Sequence, residues 1–175
     1  MALPLLKKVC QALESEHILY MVSGSIALNT YTIPRMTRDI DIIIELHKQD
    51  IRRFCKLFES GFYVDPITVQ EEVELRGMFN VIDFSTGYKI DFIIRKNTEY
   101  RQLEFARRLR DNTFGFPIWL VSIEDLIISK IAWIQELQSD RQMEDIRNLL
   151  NNPTVDKNYI QFWCKQLIFN TFNLI

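Results

Sequence analysis

Glycine and proline are scarce in this chain, with five of each in 175 residues. That leaves little room for flexible linkers or low-complexity tracts, so one domain, or one domain with a short helical extension, is expected. Cysteine is scarcer still. Cys10, Cys55 and Cys164 are odd in number, far apart and without CxxC spacing. They read as buried or free thiols in a reducing compartment, not as a disulfide framework or a zinc site. Charge of one sign is also missing: 21 basic against 23 acidic residues leave a net charge of -2. This argues against a strongly electrostatic nucleic-acid binder. No apolar run approaches the roughly 20 residues that cross a bilayer. Residues 1–8 carry their charge after the apolar residues, the reverse of a secretory signal. The expectation is a cytoplasmic protein without membrane contact.

What the chain does have is hydrophobic mass, 47% of its residues, arranged in short periodic runs. Leu3, Leu6, Val9, Cys10 and Leu13 are at helical spacing, and Ile18 to Val22 read as a strand. Ser23-Gly24-Ser25 turns into a helix reaching Tyr31, and Asp39 to Leu46 form the next strand. Lys48 to Ser60 predict a helix ended by Gly61. Phe79 to Phe84 and Tyr88 to Ile94, separated by Ser85-Thr86-Gly87, predict a hairpin. A basic helix over Glu99 to Leu109 and a strand over Pro117 to Val121 follow. Ser122 then opens a helix with a capping-box-like start, with Asp125 in place of the usual Glu or Gln, and two more helices close the chain. The order implies an α+β (α/β) fold, a small mixed sheet with helices packed on it. Residues 1–121 would be the core and residues 122–175 a helical extension packed on it as one unit.

Thr37-Arg38-Asp39-Ile40-Asp41 holds the chemistry. Two positions apart on a strand, Asp39 and Asp41 share one face about 6.6 Å apart, while Ile40 and Ile42 point the other way. Paired like charges cost free energy unless something positive lies between them, and a hard divalent cation with a taste for carboxylate oxygen is one answer. A solvated strand end fits the spacing equally well. Ser23-Gly24-Ser25, at a strand-to-helix turn, offers backbone N–H groups to an anion, or is an ordinary N-cap. Asp91, on a neighbouring strand, would make a third carboxylate; Asp83 is its rival but abuts the turn. Lys130, within the apolar stretch from Leu126 to Trp133, is either a snorkelling rim residue or a triphosphate ligand.

In order, these segments resemble the nucleotidyltransferase AbiEii/AbiGii toxin family of the DNA polymerase β-like superfamily. The Gly24-Ser25 turn is followed by a small-residue helix, and Arg35, Thr37, Asp39 and Asp41 then stand as Arg-x-Thr-x-Asp-x-Asp. The hairpin through Asp91 resembles the family's third-carboxylate hairpin, residues 122–130 its lysine helix, and Arg141 with Asp145 its Arg-x-x-x-Asp element. The resemblance implies a nucleotidyltransferase fold and transfer of NMP from an NTP to a hydroxyl on RNA such as tRNA, on protein or on a small molecule. It implies that Gly24 and Ser25 hold phosphates and that Asp39, Asp41 and Asp91 bind Mg²⁺ or Mn²⁺, with Asp91 as ligand or base. Lys130 would neutralise the triphosphate, Asp145 would position Lys130 or the acceptor, and Arg35 and Arg38 would be secondary phosphate contacts. A toxin–antitoxin role, and an acceptor on a dimer mate or partner protein, also follow from it. The competing expectation is a non-catalytic nucleotide-binding or antitoxin-like partner of the same fold.

Overall fold

The alternation read at residues 39–44 builds the middle of a seven-stranded mixed sheet. A computed structural model describes residues 3–37 and 39–175. Helix α1 (Leu3–Ser15) leads into β1 (Tyr20–Val22), α2 (Gly24–Tyr31) and β2 (Asp39–Ile44). A 3-10 turn at Lys48–Asp50 enters α3 (Ile51–Leu57), followed by β3 (Phe62–Tyr63) and α4 (Pro66–Leu75). The hairpin β4 (Met78–Asp83) and β5 (Lys89–Ile94) comes next, then α5 (Glu99–Ala106), β6 (Leu109–Asp111) and β7 (Ile118–Leu120). Three helices end the chain: α6 (Ile123–Glu136), α7 (Asp140–Leu150) and α8 (Lys157–Gln166). The sheet order is β3-β4-β5-β2-β1-β7-β6, with β2–β5 and β1–β7 parallel and the other pairs antiparallel.

One face of this sheet is apolar and sealed. Ile40, Ile42 and Ile44 of β2 lie beside Ile90, Phe92 and Ile94 of β5, all without solvent exposure. Phe54 of α3 meets Phe79 and Phe92 edge-on at 5.4 and 5.1 Å, and Phe58 sits 5.6 Å from Phe92. Each such side chain contributes about 1.5–3 kcal/mol by leaving water, which is why this face fixes the register.

The helix expected over Lys48 to Ser60 begins as a 3-10 turn and ends at Leu57, short of Gly61, and two further elements differ in kind from the sequence expectation. Residues 66–75 are a helix that the periodicity does not announce, because only Val69 and Val73 are buried in it. Its signal is in the cap: Asp65 accepts from the N–H groups of Ile67 and Thr68, and Pro66 opens the first turn. The basic helix ends at Ala106 rather than Leu109, and Leu109–Asp111 become an edge strand on β7. Its partners are distant in sequence: Arg110 bonds Glu14 at 2.7 Å and lies over Trp119, which Arg108 also covers. A local helical pattern loses to these contacts.

The last helices are tied to α5 by Asp125, which has no solvent exposure. Its two oxygens accept from Tyr100 at 3.2 Å, Tyr159 at 2.9 Å, Arg107 Nε at 3.0 Å and Ser122 at 2.7 Å. One carboxylate thus joins α5, α6 and α8. Among the described residues no helix is long and apolar enough to cross a membrane.

Removing one partner of a buried charge pair strands the other, at a cost of about 3–5 kcal/mol. Asp125→Ala is expected to lower unfolding stability by that order in urea titration and to loosen α8, read as faster amide exchange over residues 157–166. A change under about 1 kcal/mol would show that the four donors find other partners.

Candidate active site

The second face of the sheet carries the acids. In the parallel pair β2–β5, Asp41 stands opposite Asp91 and Asp39 opposite Lys89. The antiparallel pair β4–β5 extends the rows, placing Asn80 beside Asp91 and Ile82 beside Lys89. Directly paired residues share a face, and neighbouring strands lie about 4.8 Å apart, so the carboxyls of Asp41 and Asp91 are close neighbours. Asp91 is buried and accepts from Lys89 Nζ at 2.9 Å and from the Asn80 amide. Burial raises the Asp41 carboxyl above its ordinary pKa, and the negative charges of Asp91 and Asp39 push it the same way. Lys130 and the Ser25 N–H pull against them. Asp39 is exposed at the rim.

The turn after β1 comes to the same point. The Ser23 N–H donates to the Asp41 carbonyl at 2.9 Å, and Gly24 takes a left-handed φ of +58°. A Cβ on Gly24 would lie 1.9 Å from Asp41 Oδ2. Only glycine lets the start of α2 pack on that carboxylate, where the helix N-terminus favours negative charge.

A second set of charges leans on this turn. Arg35 bonds Asp145 through Nε at 3.1 Å and Nη2 at 2.8 Å, and its Nη2 also donates to Ser25 Oγ at 2.9 Å. Lys130 Nζ donates to the same Asp145 at 2.8 Å and to Gln142 at 3.0 Å. Burial draws the Lys130 ammonium below its usual pKa, more than its bond to Asp145 raises it. For Asp145, burial works upward but the bonds from Arg35 and Lys130 outweigh it and hold the carboxyl below the usual range.

The structure therefore brings together Gly24, Ser25, Asp39, Asp41, Asp91, Lys130, Asp145 and Arg35, the last bound to Asp145 and Ser25. Arg38 lies outside the described residues. Asp83 is on the opposite face of β4 from Asn80 and closes the hairpin turn, accepting from Ser85 at 2.7 Å and from the Thr86 N–H at 3.0 Å. Burial would raise its carboxyl, but these hydrogen bonds hold it low. Among the described residues no three acidic, His or Cys side chains already form a metal cage. The sequence reading missed Lys89, Asn80 and Gln142. The first two were accessible in principle: Lys89 precedes Asp91 by two positions on a strand and so shares its face.

The comparisons agree with this architecture. A family model described as a nucleotidyltransferase of unknown function (DUF6036) matches residues 5–166. Among solved structures, the chain is similar to the antibiotic-resistance factor ANT(2'')-Ia in solution, at 12% identity and a TM-score of 0.65, over 95% of this chain and 90% of that one. It is similar to the lincosamide antibiotic adenylyltransferase LnuA, lincomycin-bound, at 14% identity and a TM-score of 0.58, over 83% and 94%. An antigenic nucleotidyltransferase-like protein from Paracoccidioides brasiliensis matches at 19% identity and a TM-score of 0.50, over 95% and 87%. At these identities the likeness shows the fold, which is that of the nucleotidyltransferases. No curated protein matches the chain. The broader half of the motif resemblance, to nucleotidyltransferases, therefore holds, and the family that matches is DUF6036.

Two outcomes follow from the packing of Gly24 on Asp41. Gly24→Ala is expected to cost about 1–3 kcal/mol in thermal or urea unfolding, since the new Cβ needs both a strained φ and a displaced carboxylate. Asp41→Asn is expected to do the reverse in protein free of divalent ions. A carboxyl whose folded pKa is raised helps stability below its unfolded value and loses that help as pH rises through the folded value. At pH 7 the neutral amide should thus gain of the order of 1 kcal/mol, with the gap closing as the buffer is acidified. An Asp41→Asn protein less stable than wild type at pH 7 would mean that its carboxylate is already compensated.

Proposed function

The chain belongs to the DUF6036 nucleotidyltransferase family, and we propose that it moves NMP from an NTP to a hydroxyl acceptor with the help of Mg²⁺ or Mn²⁺. The observation that carries this reading is the cross-strand pair Asp41–Asp91, with Gly24 packed on one member and the Lys130–Asp145 pair at the same end of the sheet. A purely structural domain has no reason to bury acids against each other.

The donor set fits a hard divalent cation: Asp41 and Asp91 are adjacent carboxylates and Asp39 is a third at the rim. Bound there, such a cation would supply Lewis-acid charge to the transferred phosphate. The side chains and backbone do the rest. The start of α2 at Gly24 and Ser25, whose Ser25 N–H is shared with Asp41, cradles the phosphates, as a helix N-terminus does for anions. Lys130 meets the charge that develops as pyrophosphate departs, and Asp145 holds Lys130 in place. Arg35, engaged by Asp145 and Ser25, acts as a positioning residue for both and not as a free phosphate ligand. In-line displacement then sets the acceptor on the side away from Gly24 and Lys130, over β4. Its hydroxyl gives its proton to Asp91, its oxygen bonds the α-phosphorus, and the bond to the bridging oxygen of pyrophosphate breaks.

The surface over β4 informs the acceptor. Tyr63 and Ile82, 54% and 37% exposed, stand on the row of Lys89 and Asp39, and Met78, 49% exposed, is on the same face of β4 beside Ile93. An apolar surface with little positive charge fits a small molecule with an apolar face better than a polynucleotide. LnuA is described with lincomycin bound, and ANT(2'')-Ia in complex with adenylyl-2''-tobramycin, which makes hydroxylated antibiotics reasonable probes. The AbiEii/AbiGii likeness adds tRNA or protein as acceptors, a partner protein, and a toxin–antitoxin role. A binding-only protein of the same fold is the second reading, favoured by the hold of Lys89 and Asn80 on Asp91.

The test is transfer from each of the four α-labelled NTPs, with Mg²⁺, into tRNA, protein extract, lincosamides and aminoglycosides. Wild type is expected to label one class, and Asp39→Asn and Asp41→Asn to reduce labelling by about 100-fold or more. Retention of NTP by wild type without labelling of any acceptor class would replace catalysis by the binding-only reading.

A further inference from the structure

Four charged side chains form a square on the open face of the sheet. Asp39 stands opposite Lys89, and Asp41 opposite Asp91, so three carboxylates surround one ammonium. Lys89 Nζ lies 2.9 Å from Asp91 Oδ2. Strand alternation keeps its stem on this face, and its other cross-strand neighbour is Ile82, which offers no competing acceptor. The side chain is 41% exposed, and a lysine stem of four methylenes can carry its head into water without moving the backbone.

We propose that Lys89 is a tethered cation that neutralises the carboxylate cluster in the metal-free protein and swings out when a divalent cation enters, so that it sets the metal affinity of the site. The inference rests on the proposed nucleotidyl-transfer reading and adds to it a residue that the family motifs do not include. Three ionised acids on adjacent strands repel one another, and the fold must meet that repulsion before any ligand arrives. An ammonium on the Asp91 oxygen does so with one charge where a metal would bring two. The same contact blocks an oxygen that a metal would use, so free cations compete with a group held at high local concentration. A cation that arrives on a nucleotide brings additional contacts, through its phosphates, that a free ion lacks.

The experiment uses the full chain and Mn²⁺ alone, with free ion followed by electron paramagnetic resonance, and compares wild type, Lys89→Met, Lys89→Arg and Asp41→Asn. Lys89→Met, which keeps the stem and loses the charge, is expected to bind Mn²⁺ about tenfold more tightly, a coupling usual for contacting charges. Without metal it should melt at lower temperature than wild type, and with Mn²⁺ it should gain more. Lys89→Arg should return both readouts toward wild type, and Asp41→Asn should bind no Mn²⁺. Equal or weaker binding by Lys89→Met, while wild type binds and Asp41→Asn does not, would overturn the role of Lys89 and leave the nucleotidyl-transfer reading standing. Absence of Mn²⁺ binding in both wild type and Lys89→Met would also overturn the role of Lys89, and the transfer assay with labelled NTP decides the nucleotidyl-transfer reading separately.

Discussion

The pairing of β2 with β5 meets two demands with one register. On one face it aligns Ile40, Ile42 and Ile44 with Ile90, Phe92 and Ile94, and all six are sealed from solvent. On the other face the same alignment sets Asp41 beside Asp91 and Asp39 beside Lys89. A slip of one residue would bring the acids into the aromatic core around Phe54, so the hydrophobic face holds the carboxylates together against their own repulsion. The open face is where that repulsion is met. Gly24, Lys130, Lys89 and Asn80 each bring a donor, a cation or a helix end to the two central acids.

The helical half of the chain is joined to α5 and α2 through a few buried charges. Asp125 gathers Tyr100, Arg107, Ser122 and Tyr159, which fixes the helix that carries Lys130. Asp145 then joins Lys130 to Arg35, and Arg35 reaches Ser25 at the start of α2. The phosphate-side groups of the proposed site are thus held by side chains remote from one another in sequence. Buried pairs of this kind add little net stability, but they restrict where each partner can stand.

Much of the site was legible because strands have period two. That period assigns Asp39 and Asp41 to one face and their isoleucine neighbours to the other, while adjacency to the turn separates Asp83 from Asp91. The fold was legible where periodic runs were long, as in α1, α6 and the hairpin. It failed at α4, whose helix turns mostly to solvent, and at β6, where Arg110 and Trp119 overrule a helical pattern.

By itself the sequence determined which residues can form strands, where the turns fall, and which face of each strand is acidic or apolar, since these follow from local geometry and side-chain type. Strand order, the register of Asp41 against Asp91, the contact of Gly24 with Asp41, and the engagement of Arg35 and Lys89 by carboxylates were decided by tertiary structure. The reason is physical. Each of those depends on which distant apolar surfaces bury one another, and charged side chains choose partners only after that burial has set who their neighbours are.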